Sequence, residues 1–497
     1  MNTYKASIHN YVFNSINAII IIINGIIMVP IYFHYMSVAT YGAWLATGNI
    51  VAMLGLIECG FSGVITQKMS VAVASNDEMA FRKFAGANII TAILLAVATF
   101  LIGMSLSPFV SSWVNVEESD MASIRLAFVV ALISSCVSLF MSLMGAFPQV
   151  WQDTKAVGMA NMVANLLAIA SLLFFLMNGC GVVAIAWSYL VRALFNLLFQ
   201  GYWIIKHWYL KRFAGPIYDF YTMRELIKDC AFPFLSKLSS VLMGNSQSFI
   251  IAHFMNPLHA AIYDITAKVC TVACTFISII NGSFFALFSL TMASNDRFRI
   301  NEVFNRTSTF FIICLASVCL YSCCFSEPIV YYWVGLDKFG GTALLFVIVL
   351  ANIVYQIRGY CNNVLFTSGL ISESAKLDIA CMFVYIIILS LIIKPVQVFS
   401  IPVAMAISGS LFIVRYLRII NRDIRIKTNS IIKKTICCFC AIVPFLIVHH
   451  YINVDYKNIK LLFLYLLVFS IVYLFALYFI NLSMMKPLLA QLFRKRY

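Results

Sequence analysis

Fourteen apolar runs long enough to cross a bilayer follow one another along the chain. They lie at about 12–36, 41–65, 85–107, 124–147, 157–178, 181–205, 231–255, 262–292, 307–334, 341–366, 377–393, 396–418, 435–453 and 461–482. A helix rising 1.5 Å per residue covers the hydrocarbon with roughly 20 residues. The polar residues inside these runs recur three, four or seven positions apart, which gathers them on helix faces. The pattern predicts an all-α polytopic membrane protein of about 14 transmembrane helices. The first run is too long for the apolar region of a signal peptide and no small-residue cleavage site follows it, so it is expected to remain as a helix.

The connections between runs alternate in charge. The N-terminus and every second connection carry 23 of the Lys and Arg residues, among them Lys68, Arg82, Lys83, Lys206, Arg224, Arg297 and Arg422; the other connections carry four, Lys338, Lys394, Lys457 and Lys460. Basic connections stay on the cytoplasmic side, so both termini are expected to be cytoplasmic and the number of spans even. The expected location is a bacterial inner (cytoplasmic) membrane. The formal charge of +15 then needs no nucleic-acid partner, because basic loops face an anionic leaflet.

Composition sharpens the class. Only 11% of the residues are charged against 62% hydrophobic, too few charges to solvate a soluble domain, so most of the surface must face lipid. The 15 Cys fall inside apolar runs without metal-ligand spacing and read as small apolar side chains. No metal and no bound cofactor is expected. The longest outer connection, 108–123, carries Glu117, Glu118 and Asp120 but is too short for a folded domain. With no Gly-rich phosphate loop, nucleophile motif or acid dyad, the chain is not expected to be an enzyme.

An ungapped shift of 219 residues places Ile8, Phe13, Gly25, Ile31, His34 and Met36 opposite Ile227, Phe232, Gly244, Ile250, His253 and Met255. Gly, His and Met in one register favour an internal duplication. The expected organisation is an N-terminal six-helix lobe at 1–205, a cytoplasmic linker at 206–230, a C-terminal six-helix lobe at 231–418, and an additional helix pair with a basic tail at 419–497. Lobes that both begin in the cytoplasm are parallel repeats, with a cavity between them that rocking opens to alternate sides.

Ionisable groups inside the spans are site candidates by default. Arg192, Lys237, Lys268 and Arg358 stand within apolar runs, and the acids read there are Glu58 and Asp264, so an anion is expected to complete the balance. Lys237 shares a polar face with Pro233, Ser236, Ser240, Gly244, Gln247 and Ser248. Asp264 precedes Lys268 by four residues, a favourable intrahelical pairing. Glu58 and Asp264 are candidate carriers of a coupling proton or Na+, with Glu58 ranked first because Asp264 has Lys268 one turn away. Asn10, Asn14, Asn17 and Asn24 share a face of the first span, suited equally to a polar path and to gluing helices. Trp44, Tyr189 and Trp203 are candidates to line a sugar path, and Arg415 and Arg418 read as snorkelling anchors.

The opening 70 residues, with Pro30, then Tyr41, Gly42 and Trp44, then Glu58, Gly60 and Lys68, resemble bacterial polysaccharide transporters. The likeness is to the O-antigen flippases of the multidrug, oligosaccharidyl-lipid and polysaccharide exporter superfamily. It implies a V-shaped pair of six-helix lobes whose cationic cavity moves an undecaprenyl-pyrophosphate-linked oligosaccharide, the O-antigen repeat unit, from the cytoplasmic to the periplasmic leaflet. It also implies O-antigen polymerase and a chain-length regulator as partners. Glu58 stands where relatives often have Asp, and the additional helix pair is closer to the peptidoglycan-precursor flippases. Arg and Lys suit the pyrophosphate through charge-assisted hydrogen bonds. The alternatives are a multidrug or organic-ion exporter of the same superfamily, which should prefer an acidic cavity, and a membrane glycan polymerase or ligase, which should carry a substantial outer domain.

Overall fold

The computed structural model describes residues 3–58, 60–151, 154–210, 215–293, 296–426, 442–449 and 458–475, with the single positions 435, 438 and 451; it is helical throughout, with no strand among them. The basic tail after 475 and half of the run at 435–453 lie outside the described residues. Among the described residues, nine stretches are long and apolar enough to span a bilayer, the last of them, Ile371–Ile424, containing two helices in succession, and Ile19–Tyr35, Phe234–Gly244 and Ile459–Phe475 form shorter apolar helices. Two compact units divide the chain: residues 1–265 with 371–408, and 266–370 with 409–497.

Unit 1 starts with α1 (Thr3–Tyr35) and α2 (Val38–Leu54). The Ser37 hydroxyl caps α2 by accepting from the Thr40 amide at 3.0 Å, satisfying one of the amides that a helix start leaves without a partner. A 3-10 turn, Gly55–Glu58, extends α2, and α3 (Phe61–Ala74) follows Gly60. Gly60 has φ 71°, a left-handed conformation open to glycine at little cost. What the apolar pattern shows as one span is thus a broken one. Next come α4 (Glu78–Leu106), capped by Asp77, the short α5 (Val110–Trp113), α6 (Met121–Met144), α7 (Ala146–Val150), α8 (Thr154–Met177) and α9 (Val183–Leu210).

The connection expected at 206–230 is partly helical: α10 (Phe220–Asp229) is amphipathic and capped by Asp219, whose carboxylate accepts from the Tyr221 amide at 3.1 Å. The seventh apolar run also divides, into α11 (Ala231–Gly244) and α12 (Gln247–Phe254), where Gly244, Asn245 and Ser246 interrupt the apolar sequence. Helix α13 (Pro257–Ala293) begins in unit 1 and runs into unit 2; α14 (Arg297–Trp333) and α15 (Thr342–Thr367) lie in unit 2; α16 (Ile371–Val396) returns to unit 1; and α17 (Ser400–Ile419) again passes from unit 1 into unit 2.

Packing in unit 1 joins α6 to α4 and α9, α9 to α8, α8 to α1, α11 to α16, and α12 to α2. Its core beside the helix break is built from Phe61, Ile65, Met69, Phe81, Phe147 and Leu226. Asn17 donates to the Gly158 carbonyl and accepts from Asn165, both at 3.3 Å, so this asparagine of the first span glues α1 to α8. In unit 2, Gln356 on α15 donates to the Cys274 carbonyl at 3.2 Å and Asn363 to the Asn281 carbonyl at 2.8 Å. The equal spacing fixes α13 and α15 as parallel neighbours. The Ile459–Phe475 helix docks on α14 through Ser317–Tyr473 (3.0 Å) and Tyr321–Ser470 (2.8 Å) hydrogen bonds.

Candidate functional site

The break between α2 and α3 organises the most polar part of unit 1. A helix interrupted inside hydrocarbon frees backbone groups that neighbouring protein must satisfy, so such breaks persist where they serve a site. Glu58 ends the 3-10 turn, and its carboxylate accepts from the Ser62 hydroxyl one turn later and from the Lys237 ammonium of α11. The Glu58 side chain is 12% exposed and that of Lys237 38%. From sequence, Glu58 is the less encumbered of the two candidate acids; in the structure it is an ion-pair partner. On the same stretch of α11, Ser236 donates to a carboxylate oxygen of Asp378 at 2.5 Å and Ser239 to the Asp378 backbone carbonyl at 2.7 Å. The polar stripe of α11 therefore has two directions, Lys237 toward the α2 break and the serines toward α16.

Asp378 is 1% exposed and lies inside α16. It is an intramembrane acid that the apolar pattern misses, because the run read there starts at Leu377 and places Asp378 at its edge. Glu327, inside α14 and well inside the run at 307–334, is a further acid that the pairing of acids with bases has to include. With Glu58, Asp264, Glu327 and Asp378 all in spans, the four bases no longer exceed the acids. The anion reading then rests on placement and on exchangeable pairing, not on a charge surplus.

A second group in unit 1 is aromatic and cationic. Tyr32 of α1 stacks on Tyr41 of α2 at 5.7 Å, Trp44 packs against Tyr189 of α9 at 6.0 Å, and the Arg192 guanidinium lies 5.3 Å from the Tyr189 ring centre. Trp44 is buried while Tyr189 is 39% exposed, so the ring that carries the Arg192 guanidinium stands on a fixed base. Asp264 lies within electrostatic reach of Tyr41. Gly42, the next residue, faces the Pro257 carbonyl so closely that a Cβ would lie 1.8 Å from its oxygen. Trp203 lies elsewhere: it stacks on His207 at 3.7 Å and packs near Trp151, half-buried against the core and away from Trp44. His253 joins its nitrogen Nδ1 to the Trp113 carbonyl at 2.8 Å and is an interface residue.

In unit 2, Arg358 is 4% exposed and its guanidinium lies 5.4 Å from the Tyr355 ring centre. The α13–α15 register sets Arg358 level with about residue 276. Lys268 is then about eight residues, or roughly 12 Å, farther along α13 toward Pro257. The two bases of this unit occupy different depths. Among the described residues the structure brings Glu58 and Lys237 into contact, and Arg192 beside Tyr189 and Trp44. It gives Lys268 and Arg358 separate levels, and no group of three or more His, Cys, Asp or Glu is placed to hold a metal ion.

Residues 8–292, more than half of the chain, match the model of a family described as polysaccharide biosynthesis protein. The chain belongs to that polysaccharide biosynthesis family. The match holds Glu58, Arg192, Lys237, Asp264 and Lys268, with Arg358 beyond it. The family member's fold is that of known membrane transporters. It is similar to the lipid II flippase MurJ in an inward closed conformation, with a TM-score of 0.71 and 12% identity over 96% of this chain and 100% of that one. It is also similar to an inward-facing multidrug resistance MATE transporter of the MOP superfamily (TM-score 0.62, 12% identity, 87% and 99% of the two chains), and to the Vibrio cholerae MATE transporter VcmN in its bent form (TM-score 0.57, 11% identity, 87% and 99%). A comparison with curated proteins gives no match. The family is one of polysaccharide biosynthesis, and the fold is one shared with flippases and transporters of membranes.

Proposed function

We propose that the protein is a flippase that carries a polyprenyl-pyrophosphate-linked oligosaccharide, an O-antigen repeat unit, from the cytoplasmic to the periplasmic leaflet of a bacterial inner membrane. The observation that carries the reading is the Lys237–Glu58 pair at a helix break in a polysaccharide biosynthesis family member. A pyrophosphate is a stronger ligand for an ammonium than a single carboxylate, because it offers several charged acceptor oxygens. It can displace Glu58 from Lys237, and Glu58 then takes a proton or Na+ to remain in its half-buried place. Loading of substrate and of coupling ion become linked through one shared cation.

Arg192, on its Tyr189 platform, is proposed as a second base for the headgroup, with the exposed Tyr189 ring, backed by the buried Trp44, as the aromatic surface offered to sugars. Lys268 and Arg358 keep the role that their place inside apolar helices suggests, as further bases for the pyrophosphate. Asp264 is the second candidate carrier of the coupling ion. The polyprenyl tail needs no protein path, since it remains in lipid throughout. We further propose that the family member works by alternating access between two six-helix lobes, with both termini cytoplasmic, and that it hands its product to a polymerase under a chain-length regulator. An organic-cation exporter is the alternative; membership of a polysaccharide biosynthesis family favours a glycan cargo over it. Depletion of the protein from growing cells tests the reading: a lipid-linked oligosaccharide should accumulate in the cytoplasmic leaflet. Normal export of surface glycan after depletion would contradict it.

A further inference from the structure

On unit 1, α4, α6 and α9 border an apolar groove of about 700 Å³. Its wall runs from Ile89 and Met144 through Leu198 and Gly201 to Trp208 and Pro216, and its lining carries no charged side chain. The groove opens outward, since Leu198, Tyr202 and Ile205 along its rim are 71%, 66% and 66% exposed. It follows α9 from Leu197 to Trp208, eleven residue rises or about 17 Å. Half of a 30 Å hydrocarbon core is about 15 Å, so the groove is one leaflet deep.

Two cationic side chains border this groove. Lys206 is exposed and its ammonium lies 5.9 Å from the ring centre of Tyr202, a lining residue. Arg82 donates from Nε to the Gly215 carbonyl at 2.8 Å and accepts the Ile217 amide on its own carbonyl at 3.0 Å, which holds it beside Pro216, another lining residue. Gly86 makes this seat for the 215–217 segment, because a Cβ there would lie 2.2 Å from the Ile217 carbonyl oxygen. A cationic border, an apolar channel one leaflet long and a wall open to the membrane match one molecule in shape and charge. Water cannot solvate such a wall at membrane depth.

We propose that the groove is a binding site for an anionic glycerophospholipid of the cytoplasmic leaflet, with an acyl chain between α4, α6 and α9 and its phosphate at Lys206 and Arg82. The site is separate from the Glu58–Lys237 pair and does not rest on the transport reading. Gly201 is the position that tests it, since a Cβ there meets nothing within 4 Å. A Gly201→Leu side chain starts from a groove-lining position whose Cβ is unobstructed, and leucine is a better helix former than glycine.

The test is native mass spectrometry of the purified full chain in detergent, titrated separately with dioleoyl phosphatidylglycerol, dioleoyl phosphatidylcholine and undecaprenyl phosphate. Phosphatidylglycerol should bind one molecule per chain at least about fivefold more tightly than phosphatidylcholine, as one cation near a headgroup gives. Gly201→Leu should weaken both phospholipids at least tenfold with the melting temperature retained. Lys206→Gln should leave phosphatidylcholine binding unchanged and remove most of the preference for phosphatidylglycerol. Parent-like phosphatidylglycerol binding by Gly201→Leu, or equal binding of the two phospholipids by the parent, would overturn the proposal. Displacement of phosphatidylglycerol by undecaprenyl phosphate at lower concentration would assign the groove to a polyprenyl chain and overturn it equally.

Discussion

Changing Glu58 to Gln removes the negative partner of Lys237 while keeping the side chain's size and an oxygen that can accept from Ser62. Two unit charges about 4 Å apart attract by about 4 kcal/mol at an effective dielectric of 20 and by about 1 kcal/mol in water. The Lys237 side chain is 38% exposed and that of Glu58 12%. The pair therefore falls between an exposed pair, worth about 0–1 kcal/mol, and a buried one, where loss of a partner costs about 3–5 kcal/mol. A coupling of about 1–3 kcal/mol follows, equivalent to roughly 5- to 150-fold in an equilibrium where an anion competes with Glu58 for Lys237. The assay is calorimetric binding of a short-chain polyprenyl pyrophosphate to purified protein at neutral pH, on variants shown to be monodisperse. Glu58→Gln should bind more tightly than the parent, Lys237→Gln should bind roughly ten- to hundredfold more weakly, and the double variant should behave like Lys237→Gln. Flipping should slow in Glu58→Gln despite the tighter binding, because release no longer restores the pair. Unchanged or weaker binding in folded Glu58→Gln would refute the idea that carboxylate and pyrophosphate share one cation.

Gly42→Ala should lower stability by about 1–3 kcal/mol through overpacking against the Pro257 carbonyl, read as a fall in melting temperature, whereas Gly25→Ala, with nothing within 4 Å of its Cβ, should not. Asp219 caps α10, and the Thr222 hydroxyl together with the Tyr221 amide and nearby Lys83 holds its carboxyl below the ordinary carboxylate range. A depressed folded pKa stabilises above the unfolded value and loses that contribution as pH falls through the folded one, so hydrogen exchange of 221–229 should quicken below about pH 4 and Asp219→Ala should remove the pH dependence. A Cys at Ser112 in a Cys-free background should react with an impermeant thiol reagent in intact spheroplasts while one at Ser75 should not, and the reverse pattern would invert the orientation.

The helical class was legible from the length and spacing of the apolar runs, because in lipid the backbone must satisfy itself and a helix is the local way to do so. Breaks inside two runs were not legible as breaks. Gly60 and the Gly244–Ser246 segment look like ordinary tolerated polar or small residues until their neighbours are placed. Lys237 was marked by its position in an apolar run, yet its partner lies 179 residues earlier, a separation that periodicity does not encode. Asp378 was hidden by a boundary: reading the run from Ile371 instead of Leu377 would have put it inside the membrane with Ser374 on the same face. Trp203, on α9, lies apart from Trp44, half-buried against Trp151 and His207, a placement that helix periodicity does not encode.

Reconstitution tests the central claim most directly. Purified protein in liposomes holding a polyprenyl-pyrophosphate oligosaccharide should make sugar from the inner leaflet accessible to an external glycan-cleaving enzyme, faster than in protein-free liposomes and slower when Lys237 is changed to Gln. Liposomes in which the inner oligosaccharide stays protected, while an organic cation is exchanged across the same bilayer, would contradict the flippase account and favour the exporter.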